Sequence, residues 1–308
     1  MSAHHPLSRL FVWAASSAAF SLVGCDDALK DASLIQETRV LGARVEVAGD
    51  PERGSPAPGE AAHLEFFVAA PSGTLNVAYA LTLCGVAPTD NGFPPCTTAP
   101  LATTFQAEPS SEAPALDFQV PANLDRTKAP HGFASGVVCP NGAAQLTADG
   151  GANCANGPGD AVAFEFEFAG PGQDNENPNF TADSLTFDGS TWPASDAQAG
   201  CDALPRVHVK TEHGLGVQMQ DGDFDALVQM NSADPTRETL LVSQFSDSGT
   251  LAHTFGSLDP STPGLQSTAS WSAPPSADAN GAVVHFYFVV RDSRGGEDFA
   301  TRAVCVVP

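Results

Sequence analysis

Seven cysteines, eight histidines and two Asp/Asn-rich clusters carry most of the chemistry available to this 308-residue chain. Cys25 stands apart from the others. It ends Leu22-Val23-Gly24-Cys25, which closes an uncharged run from Leu10 to Gly24 preceded by His4, His5 and Arg9. A weakly basic start, an apolar middle and small residues before a cut describe an export signal. The run is short for a membrane helix, which needs roughly 20 apolar residues. Leu-x-Gly-Cys at its end is a lipobox. There the thiol takes a thioether-linked diacylglycerol, and cleavage frees the amine for a further acyl chain. Two or more chains anchor a protein stably where one binds reversibly. The expectation is a lipoprotein signal peptide over 1–24, lipidation at Cys25, and a tether over 25–32. The chain then belongs to the bacterial cell envelope, on its periplasmic face or at the cell surface.

The remaining cysteines are Cys84, Cys96, Cys139, Cys154, Cys201 and Cys305. An even set in an exported chain suggests a disulfide framework. Spacing alone leaves the pairing open. Nearest-neighbour pairing joins Cys84 to Cys96, Cys139 to Cys154 and Cys201 to Cys305. Zinc is the rival use of cysteine, but no CxxC or Cys/His cluster of zinc spacing is present. The stretch from His208 to His213 (HVKTEH) is not HExxH, and His208 alternates with Val207 and Val209 as on a strand.

Calcium takes six to eight oxygen ligands. Its candidates here are Asp174, Asn175 and Asn177 in one cluster, and Asp221, Asp223 and Asp225 in another. The competing account of the second cluster is a turn at Asp221-Gly222, with Asp223 and Asp225 toward solvent and Phe224, Ala226 and Val228 toward a core. The full EF-hand pattern is absent. No P-loop or GxGxxG occurs, and Gly132-Phe133-Ala134-Ser135-Gly136 misplaces its serine for a nucleophile elbow. His63, His131, His208, His213, His253 and His285 are scattered singly, and triads assemble in space rather than in sequence. No catalytic residue is assigned.

Asp+Glu is 36 and Lys+Arg is 13, for a net charge of −23. Phosphate binding needs clustered Lys and Arg, so nucleic acid is excluded as a partner. Gly (28), Pro (25) and Phe (19) are abundant, and apolar runs are short. This is the texture of an all-β chain with many short strands. Leu75, Val77, Tyr79, Leu81 and Leu83 alternate with Asn76, Ala78, Ala80, Thr82 and Cys84. Phe164-Glu165-Phe166-Glu167-Phe168 requires one wet face, hence antiparallel, half-solvated sheets. Strands are also predicted over 62–68, 116–120, 133–139, 185–187, 207–209, 217–219, 224–230 and 240–245. The Gly- and Asn-rich stretch from Asn141 to Asp160 reads as a loop stapled through Cys154. Gly170 to Asn179 (GPGQDNENPN) is polar throughout, with nothing for a core, and reads as a linker over 170–179. Modules are expected over 33–169 and 180–308. Val283 to Val290 (VVHFYFVV) is apolar on both faces. Arg291-Asp292-Ser293-Arg294-Gly295-Gly296 then turns the chain into a last strand, 299–307.

That closing hairpin, Val283 to Val307, resembles the end of bacterial immunoglobulin-like domains of the PKD and cadherin-like kind. Val217 to Val228 (VQMQDGDFDALV) is similar to a degraded form of their D-x-D-G-D-x-L motif. Asp174 to Asn179 is similar to the Asp/Asn-rich joints before such domains. The layout as a whole resembles lipoproteins of myxobacteria: a lipobox, Thr38-Arg39-Val40-Leu41, Pro58-Gly59-Glu60, and a C-terminal module holding Ser248-Gly249-Thr250 and Trp271-Ser272-Ala273-Pro274. The resemblance implies two immunoglobulin-like antiparallel β-sandwich modules and no assigned activity. The function expected is binding, adhesion or envelope structure, toward an envelope protein or glycan, with no cofactor. A calcium-dependent or carbohydrate-binding module is the alternative, and a divergent hydrolase a third.

Overall fold

The computed structural model describes residues 32–89, 93–147, 151–170, 174–194, 199–227 and 236–308, apart from the side chains of 226, 227 and 236. The lipobox, Cys25 and the signal segment lie outside them, as do Val228 to Met230 of the strand expected over 224–230. Residues 32–308 form one unit. Among the described residues no helix is long and apolar enough to cross a membrane.

The first half contains β1 (Arg39–Val47), β2 (Ala61–Ala69), β3 (Val77–Val86), β4 (Ala102–Ser110), β5 (Ala115–Gln119), β6 (His131–Cys139), β7 (Ala144–Leu146), β8 (Ala152–Cys154) and β9 (Asp160–Glu167). Two sheets, β1-β2-β5 and β4-β3-β6-β9, pack face to face, and β7-β8 is a hairpin within the Asn141–Asp160 loop. The alternation of β3 sends Val77, Tyr79, Leu81 and Leu83 into the shared core. On β9, Phe166 turns inward while Glu165 is exposed. β4 escaped sequence reading because Ala102 to Ser110 carries few apolar residues. It lies at a sheet edge, where Pro109 is tolerated.

The second half contains β10 (Leu185–Phe187), β11 (Ser190–Thr191), β12 (Arg206–His208), β13 (Glu212–Gln218), β14 (Ala226–Leu227), β15 (Thr236–Arg237), β16 (Leu240–Ser246), β17 (Thr250–Leu251), β18 (Phe255–Leu258), β19 (Gln266–Ser272), β20 (Ala282–Arg291) and β21 (Glu297–Val307). Its sheets run β11-β10-β13-β19-β17 and β12-β21-β20-β16-β18. Strand pairs are antiparallel except β12 with β21. Trp192, Trp271, Phe286 and Phe288 fill this core. Each buried indole N–H finds an acceptor, Trp271 on Ser248 O (2.9 Å) and Trp192 on Ala303 O (3.4 Å). β19 was missed because only Ala269 and Trp271 of its seven residues are apolar.

Three disulfides join Cys84 to Cys96, Cys139 to Cys154 and Cys201 to Cys305, the nearest-neighbour set. Such bonds persist in oxidising compartments, which fits a protein that works outside the cytoplasm.

Candidate functional site at the joint of the two sandwiches

The two sandwiches are fused through an apolar seam. β20 is buried on both faces: Val284, Phe286, Phe288 and Val290 enter the second core, while Tyr287 and Val289 meet Leu41, Ala69 and Ile35 from the first half. Phe67 stacks on Phe299 across the seam with ring centroids 4.5 Å apart. The Tyr287 hydroxyl donates to Ala70 O (2.7 Å). Ile35 belongs to this seam by way of β16. Its N–H donates to Ser246 O (2.8 Å), and Ser246 N–H donates to Ser33 O (3.0 Å). The residues that open the first module in the sequence reading thus lie against the second.

The Arg291–Gly296 turn plugs into the first sandwich instead of standing free. Asp292 Oδ1 accepts the N–H groups of Arg294 (2.7 Å) and Gly296 (2.9 Å), which fixes the turn. Glu167 N–H, on the edge of β9, donates to Arg294 O (3.2 Å). Gly295 has φ +94°, and a Cβ there would lie 2.6 Å from Glu165 O and 2.7 Å from Phe166 Cα. Only glycine fits both the backbone conformation and the contact.

Arg294 then reaches across the joint. Its Nη2 donates to Asp225 Oδ2 (2.7 Å) and its Nη1 to Asp174 O (3.1 Å), while Nε stands 3.6 Å from Glu238 Oε2. Beside it, the outer edge of β1 is paired by side chains in place of a strand. Ala43 N–H donates to Glu297 Oε2 (2.9 Å), Arg291 donates to Leu41 O, and Asn177 Nδ2 donates to Val45 O (2.7 Å). Arg291 and Glu297 pair with each other at 2.5 Å, and Arg44 reaches Asp298 at 2.9 Å. A free sheet edge is a template for unwanted pairing, and this one is covered.

The structure brings five of the six calcium candidates to this joint, each already engaged. Asn175 Nδ2 donates to Asp292 Oδ2 (2.8 Å), and Asn177 Oδ1 accepts Glu297 N–H (3.2 Å). Asp174 lies 3.7 Å from Arg53. Asp223 accepts N–H bonds from Gln220 (2.6 Å) and Asn179 (3.1 Å), and Asp225 accepts from Glu176 (2.9 Å) as well as Arg294. Asp221 is set apart on Arg237 (2.6 Å). Two expectations are corrected. Asp223 and Asp225 do not point to solvent, although Phe224 does enter the core. Of the linker expected over 170–179, residues 171–173 lie outside the described ones, and 174–179 is not a bare linker: Asn175 is 1% and Asn177 5% exposed. An amide both donates and accepts, so it can be buried wherever an open strand edge supplies partners. No group of three or more His, Cys, Asp or Glu side chains among the described residues has metal-holding geometry.

Burial sets the charge states here. It pushes Glu238 up to about 7, with Asp292 adding to the rise and Arg294 opposing it. Glu238 Oε1 accepts Asp225 N–H (3.0 Å), while Oε2 receives no hydrogen bond. Burial likewise lifts Glu297 to about 7 against the pull of Arg291, and raises Asp223, Asp292 and Asp298. A carboxyl whose pKa is higher folded than unfolded binds more protons in the folded state. Its contribution is complete below about 4.5 and is lost as pH rises through 7. Glu60 is the opposite case, held low by its hydrogen bond from Arg53, and its contribution is lost on acidification. The melting temperature should therefore fall by about 5 °C between pH 5.5 and pH 8, with a flatter profile in Glu238→Gln. Scanning calorimetry at constant ionic strength checks this; a profile that is flat or rises toward pH 8 contradicts it.

Four histidines pair with acids: His63 with Asp117 (2.8 Å), His131 with Glu165, His213 with Asp188 (2.7 Å) and His285 with Asp247 (2.6 Å). His213 Nε2 also lies 2.7 Å from Thr211 Oγ1. That hydroxyl donates to His208 O (2.6 Å), so the trio ties the turn before β13 to the β10–β11 turn. Compared with known proteins, the chain matches no family model and no curated protein.

Proposed function

We propose that this chain is a lipid-anchored protein of the bacterial cell envelope, acting as a rigid, non-catalytic binding or adhesion module toward an envelope protein or glycan. The observation that carries the reading is the lipobox Leu22-Val23-Gly24-Cys25 at the end of an uncharged run. Few residues in the sequence separate Cys25 from Ser33 and Ile35, which are hydrogen-bonded to β16 and buried. An acylated Cys25 would tether the chain to a bilayer. The disulfides and acidic surface suit exposure outside the cytoplasm.

Strand order supports the immunoglobulin-like part of the reading. With the principal strands lettered in chain order, the first sandwich has the sheets A-B-E and C′-C-F-G. In the second, β10-β13-β19 follow A-B-E and β12-β21-β20-β16 follow A′-G-F-C, while the short strands depart from that order: β17, on the first sheet, comes before β18, on the second. The disulfide between strands B and F, common in such domains, is missing; Trp192 and Trp271 occupy the second core instead.

Metabolic labelling with palmitate in the host should mark the wild-type chain and leave Cys25→Ala unmarked, with the variant released from the membrane pellet. Protease shaving of intact cells then separates surface display from a periplasmic position. An unlabelled wild-type chain, or one found free in the medium, overturns the anchored reading.

A further inference from the structure

A second feature of the seam is open to solvent. Between the outer face of β2, the turn after it, and strands β20 and β21 lies a cleft of about 370 Å³. That is within the range of small-ligand pockets, which favour the junctions of domains. Phe67, Phe299 and Tyr287 form its aromatic wall, and Leu75 and Val68 add to the apolar surface. Its rim carries Glu65, two residues before Phe67 on the same face of β2. Among the described residues no lysine, arginine or histidine lines the cleft.

The Glu65 carboxylate has no ion-pair or hydrogen-bond partner among the described residues. Its neighbour across the β1–β2 ladder is Arg44, whose guanidinium is spent on Glu46 (2.9 Å) and Asp298 (2.9 Å). The Phe67–Phe299 stack and the tilted Tyr287 ring, 6.0 Å from Phe67, present π-electron density beside this carboxylate. An aromatic wall attracts cations through the ring quadrupole, most strongly where water is displaced. A carboxylate at the edge adds a direct charge contact. The net charge of −23 draws cations toward the whole surface.

We infer that this cleft is a binding site for an organic cation: an ammonium or guanidinium group carried on an apolar body. The apolar body lies against Phe67 and Phe299, and the charged head meets Glu65. The same chemistry is offered by a free quaternary ammonium compound and by a lysine or arginine next to an aromatic residue in a partner peptide. The inference deepens the binding reading above and rests on it. Palmitate labelling tests the anchor and leaves the cleft untouched, so the two fail separately.

Calorimetric titration of the full chain tests it with three probes: benzyltrimethylammonium, the capped dipeptide acetyl-Phe-Lys-amide, and neutral benzyl alcohol. Saturable binding of either cation, with benzyl alcohol at least tenfold weaker, is the expected result. Which cation binds more tightly identifies the source. Glu65→Gln, at an exposed rim position, should weaken the cation at least tenfold, and Thr301→Trp should abolish binding by filling the cleft. Circular dichroism of both variants confirms that they fold. The inference is overturned if neither cation binds, if benzyl alcohol binds equally well, or if Glu65→Gln binds like wild type.

Discussion

Replacing Arg294 by methionine should lower stability by about 3 kcal/mol at pH 8, a drop of roughly 10 °C in melting temperature. Methionine keeps much of the stem volume and removes the guanidinium. The acids it leaves are Asp225 at 2.7 Å, on a side chain 21% exposed, and Glu238 at 3.6 Å, 1% exposed. Removing one partner of a buried pair strands the other charge, which costs more than the pair contributed. The loss should shrink as pH is lowered toward 5, because a stranded carboxylate can take up a proton where the guanidinium cannot be replaced. Wild type also gains stability on that path, so the quantity to follow is the difference between the two proteins at each pH. Arg294→Lys keeps the charge but not the fork that spans Asp225 and Asp174 O, and should fall between them. Urea unfolding at pH 5, 6.5 and 8 decides the matter. A variant as stable as wild type at pH 8, or a deficit independent of pH, would show that Arg294 does not hold the joint electrostatically.

The second large effect belongs to the Cys201–Cys305 bridge. It closes 104 residues, against 12 for Cys84–Cys96 and 15 for Cys139–Cys154. In the chain-entropy account the long loop is worth about 4–5 kcal/mol and each short one about 3 kcal/mol. The long bridge has a further task. It fastens the turn just before β12 to β21, and so supports a parallel pairing of only three residues at the edge of its sheet. Cys305 is fully buried beside Leu204 and Ala303, so its loss also leaves a packing defect. The double variant Cys201→Ala/Cys305→Ala should lose more stability than either of the other double-alanine variants. Its β12 amides should lose hydrogen-exchange protection before those of β20. Equal losses for all three bridges in guanidinium unfolding would refute the loop-length argument and put the stabilisation in the folded-state contacts.

Much of the fold is legible in the chain because strand formation here is local. The alternation of Leu75 to Cys84 marks the face of β3 that enters the shared core, and the Phe-Glu repeat at 164–168 declares an inner and an outer face within a few residues. β4 and β19 stayed hidden because they carry too few apolar residues to show a period, and their neighbours hold them in place. Short-range pairing also made two disulfides natural, since a loop of 12 or 15 residues closes easily.

The joint was written in the sequence only as an oddity: β20 is apolar on both faces although it belongs to a half-solvated antiparallel sheet. A strand of that kind needs a second partner, and the first sandwich is that partner. Nothing local could say which residues would meet it. Ala43 and Glu297 are 254 positions apart, Asn177 and Val45 132, Arg294 and Asp225 69. Polar residues such as Asn175, Asn177 and Glu238 look solvent-bound when judged by type, because type records the cost of burial and not the partners that offset it. The chain alone therefore determined the strands with a clear apolar period, their inner faces and the oxidised cysteines. Tertiary structure decided that the Asp/Asn-rich stretch and the Arg-Asp-Ser-Arg-Gly-Gly turn would meet, with Asn175 and Asn177 buried between them, since the partners that satisfy them exist only once both sandwiches have formed.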